Sequence, residues 1–122
     1  MDRDRSPFDI AGAASEQIRA LNHSTLDGQG YDHPARVTET IGTLSALASR
    51  LQLSISQLDT GYAELLDSGR HYLYDPEGET VTEHSTQVHD QFRTAHQAAE
   101  HLHEALSAVQ NLTALLGYRE SK

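Results

Sequence analysis

From Thr80 to Leu116, apolar and small residues return in alternating steps of four and three: Val81, Ser85, Val88, Phe92, Ala95, Ala99, Leu102, Leu106, Val109, Thr113 and Leu116. With 3.6 residues per turn, that spacing holds one side of a helix toward a neighbour. The same step runs through Val37, Ile41, Leu44, Ala48, Leu51, Ile55, Leu58, Tyr62 and Leu65, with no charged residue in the series. Two long helices, about 34–68 and 80–117, are therefore expected to lie together as antiparallel rods, each seam facing the other.

Terminators and caps divide the rest of the chain. Ser6, Pro7 and Asp9 have the order of an N-cap, a first-turn proline and an acid facing the helix dipole, so a helix should begin at 7. Phe8, Ala11, Ala14, Ile18 and Leu21 share one of its sides, and Asn22 is the expected stop. Gly28 and Gly30 loosen the loop that follows, and Asp32 with Pro34 is expected to start the second helix. Ser54 and Gln57 have capping-box spacing, which would break that helix near Gln52 and give four helices. Its apolar register continues unshifted across the site, which favours one rod ending at Gly69. The segment 70–79 carries a turn at Asp75, Pro76, Glu77 and Gly78 and is expected to be a loop. Thr80 with Glu83 forms a second capping box, with Asp75 and Pro76 as an earlier alternative start and Gly117 as the stop. The pattern describes a single all-α domain, 1–122, built as an elongated antiparallel helical bundle of three helices, two of them long.

The breadth of each apolar side suggests how the helices assemble. Ala98, Ala105, Ala108, Leu112 and Leu115 widen the last helix at its C-terminal end, and Ala46 and Leu47 widen the matching part of the second. A broad side serves two neighbours and a narrow one serves a single neighbour. The short first helix is thus expected to complete a three-helix body, leaving a two-helix arm. The arm carries Leu58, Tyr62, Leu65, Leu66, Val81, Val88, His89 and Phe92, the expected partner-binding residues. A bare arm hides too little apolar surface to stand alone, so it should pack on a second copy or another protein.

Composition narrows the partners. The net charge is −9, from 18 acidic and 9 basic residues, and the sole lysine is Lys122. Phosphate backbones and anionic lipids need clustered cations, so neither nucleic acid nor membrane is an expected direct partner. The absence of cysteine excludes disulfides, thiolate metal sites and thiol nucleophiles. No run suits a signal peptide or a membrane span, so a cytoplasmic location is expected.

Histidine is the unusual ingredient, with eight in the chain. His89, His96 and His103 recur every seven residues along the edge of the last seam, with Glu100 and His101 nearby. Such a row could sense pH or hold a metal, and His96, Glu100 and His103 are the weak candidate ligands. The spacing matches neither H-E-x-x-H nor the E-x-x-H of di-metal bundles, so the plainer reading is a row of flanking side chains, with no cofactor. The loop residues Asn22, His23, Thr25, Tyr31, Asp32, His33 and Arg36 mix polar and aromatic groups and are read chiefly as helix connections. No nucleophile elbow, phosphate loop or dinucleotide fingerprint is present, and no catalytic residue is assigned.

Ile18, Arg19, Ala20, Leu21, Asn22 and His23, followed by Thr25, Gly28, Gly30, Tyr31, Pro34 and Val37, resemble small helical proteins of actinobacteria that carry no assigned activity. The resemblance covers the first half of the chain and implies a bacterial cytoplasmic protein. The function expected from the residues is a non-enzymatic protein-protein interaction module that dimerises or docks through the arm. Two further readings stand beside it: an acidic inhibitor mimicking DNA, and a histidine-based metal- or ligand-binding bundle.

Overall fold

The structure, a computed structural model, describes residues 5–70 and 80–116. The loop turn at Asp75 to Gly78, the alternative Asp75 cap and the Gly117 stop lie outside the described residues. Three α-helices, α1 (Pro7–Ser24), α2 (Pro34–Asp67) and α3 (Val81–Thr113), account for nearly all of the described chain, with one 3₁₀ turn at Leu26–Gly28. The protein is an all-α antiparallel helical bundle.

Local chemistry sets each helix start. The Ser6 hydroxyl accepts the Asp9 amide at 3.1 Å while the Asp9 carboxylate accepts the Ser6 amide at 3.4 Å. Thr80 and Glu83 repeat this reciprocal pair at the head of α3. Each box satisfies amide groups that have no partner within the first helical turn. The cap of α2 is His33, one residue beyond the expected Asp32; its Nδ1 accepts the Ala35 amide at 3.1 Å. At the end of α1, Asn22 does not act as a stop. The helix continues to Ser24, where the hydroxyls of Ser24 and Thr25 both donate to the Leu21 carbonyl at 2.9 Å. Gly69, with φ of +72°, turns the chain beyond α2 in a conformation that side chains with a Cβ rarely adopt.

α2 is continuous through Gln52 to Ser54, so the alternative capping box there is unused. Its 34 residues give a rod of about 51 Å. α3 packs against it in reverse, as Thr38 meets Thr113, Ser45 meets His103, Asp59 meets His89 and Tyr62 meets His84. Among the described residues, these two helices are the only pair packed along their lengths.

The expected three-helix body is not formed. No residue of α1 is buried, and Phe8 is 85% exposed. Only Ile18 and Leu21, toward the hairpin end of α1, are half-buried. A two-helix hairpin is the unit that packs, and the arm is in effect its whole length.

Gly61 sits inside α2, and a Cβ there would meet nothing within 4 Å. Gly61→Ala is therefore expected to stabilise the helix by about 0.5–1 kcal/mol, read as a rise of a few degrees in melting temperature.

Candidate functional site

The hairpin's inner seam differs from the expected one in an informative way. Ile41, Ala48, Ile55 and Tyr62 face α3 as the apolar step requires, but the alternate members Leu44, Leu51, Leu58 and Leu65 do not. Their places are taken by Ser45, Gln52, Asp59 and Leu66, each one residue later, as Thr38 takes that of Val37. On α3, likewise, Ser85, Phe92, Ala99, Leu106 and Thr113 point inward, and His96, His103 and Gln110 replace Ala95, Leu102 and Val109 at the alternate places, whereas Val88 stays half-buried beside an exposed His89 that reaches Asp59. The helix pair is rotated so that polar side chains meet across it.

The histidine row is thus interhelical. His103 Nδ1 lies 2.9 Å from the Ser45 carbonyl and 2.9 Å from the Ser45 hydroxyl, which in turn lies 2.8 Å from the Ser107 hydroxyl. A carbonyl only accepts, so Nδ1 carries its hydrogen toward Ser45. It has no lone pair free to take the Ser45 proton, and the pair is a packing contact rather than a nucleophile and its base. Seven residues along each helix, the same register sets Gln52 opposite His96; a further seven bring Asp59 within 2.6 Å of His89 Nδ1. Layers of Ala48 with Ala99 and Ile55 with Phe92 alternate with these polar layers. Ser45, Ala48 and Ala99 are the buried residues among those described, so nothing larger than serine or alanine is fully enclosed.

The candidate metal ligands do not converge. His103 is engaged with Ser45, Glu100 is exposed, and His96 lies about one heptad, roughly 10 Å, from His103. Among the described residues, no three His, Cys, Asp or Glu side chains form a metal-sized group. In the first loop, His33 caps α2, Thr25 closes α1, and Arg36 pairs with Glu39 at 3.2 Å, so three of its polar residues have structural contacts.

The edges of the hairpin are chemically unlike. On one, a cleft of about 190 Å³ runs beside Ile55, Asp59, Phe92 and His96, with Ser56 and Arg93 at its rim. At 100° per residue, Leu58 lies about 160° around α2 from Ser56, and Val88 is about as far around α3 from Arg93. The opposite edge therefore carries Leu44, Leu51, Leu58 and Leu65 beside Val81, Val88, Leu102 and Val109. Leu58 is 59% exposed and Leu102 is 49% exposed.

The expected partner-binding set is divided by this geometry. Leu58, Leu65 and Val81 are exposed on the apolar edge, and Val88 is half-buried beside them. Tyr62, Leu66 and Phe92 are half-buried between the helices, the Tyr62 hydroxyl 2.7 Å from His84 Nε2, and His89 is held by Asp59. The residues that sequence reasoning omitted are Leu44, Leu51, Leu102 and Val109, which extend the apolar edge away from the tip.

No protein-family model, curated protein or solved structure matches this chain. Among the described residues, no helix is long and apolar enough to cross a membrane.

Proposed function

We propose that this chain is a non-enzymatic helical interaction module, working in the cytoplasm by docking an apolar edge of its hairpin on helices of another chain. One observation carries this reading: Leu51, Leu58, Leu65, Leu102 and Val109 are exposed along one edge, while the residues fully buried among those described are only Ser45, Ala48 and Ala99. Exposing a leucine rather than burying it forgoes about 1.5–3 kcal/mol, and the edge repeats that loss along both helices. Contiguous apolar surface of this kind marks a binding face. The arm-tip residues Leu58, Leu65, Val81 and Val88 belong to it, and the edge continues beyond them to Leu44 and Val109.

The purified chain is expected either to associate or, when held monomeric by dilution, to bind a hydrophobic dye such as ANS. Leu58→Asp should lower dye binding or association while circular dichroism still reports helix. A chain that stays monomeric and binds no dye would remove the proposal.

A further inference from the structure

The apolar edge has a length, an area and a charge that together select its occupant. From Val37 to Leu65 it runs about 42 Å along α2, half-buried at Val37, Leu44 and Leu47 and exposed at Leu51, Leu58 and Leu65. α1, with 18 residues, is about 27 Å long and cannot cover it. The hairpin itself has the matching length. A stable dimer takes about 800 Å² from each partner, and the exposed Leu51, Leu58, Leu65, Val81, Leu102 and Val109 line one edge where such an area can be buried.

Sequence pattern supplies a second argument. Val37, Thr40, Leu44, Leu47, Leu51 and Ser54 continue to Leu65 in steps of three and four, a complete seam beside the one that meets α3. α3 repeats the device from Val81 to Leu116. Two seams about 100° apart on each of two helices suit a four-helix bundle, in which every helix touches two neighbours. No Asp, Glu, Lys or Arg occupies either second seam, although the chain carries a net charge of −9. On a strongly acidic molecule such a neutral strip lets two copies meet without bringing like charges into contact.

We propose that the occupant of the apolar edge is a second copy of this chain, with two hairpins laid edge to edge about a two-fold axis to close a four-helix bundle. The proposal rests on the interaction-module reading and names its partner. A two-fold axis makes the same edge serve both subunits, and the histidine layers stay within each hairpin.

The test is light scattering and thermal melting of the full-length chain across a dilution series, with ANS fluorescence at each concentration. The expected result is a mass of twice 13.4 kDa and a melting temperature that rises with concentration, as linkage requires. Leu58→Asp and Leu102→Asp should lose the dimer, while Ser56→Asp on the opposite edge should keep it. If the aspartate variants do not fold, Leu51→Ala decides, with dimer dissociation expected at roughly tenfold higher concentration. A dimer indifferent to Leu58→Asp, Leu102→Asp and Leu51→Ala overturns the assigned edge. A monomer with a concentration-independent melt that binds ANS overturns the second copy but leaves the interaction module standing. A monomer that binds no ANS overturns both.

Discussion

Ala48→Leu is expected to unfasten the hairpin, lowering its melting temperature by about 10 °C or more in a circular-dichroism melt. Ala48 is 1% exposed and Ala99 8% exposed, and the register set by Ser45 and His103 places them at the same level of the helix contact. Leucine and alanine differ little in helix propensity, so the helix itself gives no reason for a loss. The cause is steric. The helices approach closely because Ser45, Ala48 and Ala99 are small, and three added carbons have no cavity to enter. Overpacking of this kind costs about 1–3 kcal/mol. Separating the helices here also stretches the Ser45–His103 contact one turn away, whose hydrogen bonds contribute about 1 kcal/mol each. Leu53→Ala, at an exposed position of the same helix, is the control and should change the melt little. An unshifted melt for Ala48→Leu would show that the waist of the hairpin is not closely packed.

The helices were legible because caps are local. Thr80 with Glu83 forms the expected capping box, and Ser6 is the expected cap of α1, with Asp9, read as an acid facing the helix dipole, closing a reciprocal hydrogen-bond pair as well. The continuity of α2 followed from a register that never slips. Rotation of the helix pair was harder to read, because α2 and α3 each carry two adjacent seams and apolar periodicity weighs leucine above serine. Ser45 and Ala48 settle the choice by allowing close approach, a property that hydrophobicity does not measure. A signal was nevertheless present: Thr38, Ser45, Gln52 and Asp59 recur every seven residues, as do His89, His96, His103 and Gln110. Two polar heptads running in opposite directions are partners in waiting. The free position of α1 had no such signal, since its apolar side has the same spacing whether or not a neighbour covers it.

The polar layers bear on specificity, and replacing one should have a large effect of unusual sign. The double substitution Gln52→Leu with His96→Leu is expected to raise the melting temperature, by an amount corresponding to about 1–2 kcal/mol, as two half-buried polar side chains give way to leucines that hide more apolar surface. It should also degrade the assembly. In the native chain α2 meets α3 through a seam interrupted by polar layers and leaves an uncharged, mainly apolar seam for the second copy proposed above. Hydrogen-bonded pairs such as Ser45 with His103 are satisfied in one register only, so they fix which side of each helix faces inward. With Leu at 52 and 96 the two sides become alike at mid-hairpin, and the helices can exchange them at little cost. Light scattering should then report a mixture of masses in place of one species, despite the higher melting temperature. A melting temperature that falls, with a single mass retained, would mean that the Gln52 and His96 layer stabilises the hairpin outright and that choice of side is enforced elsewhere.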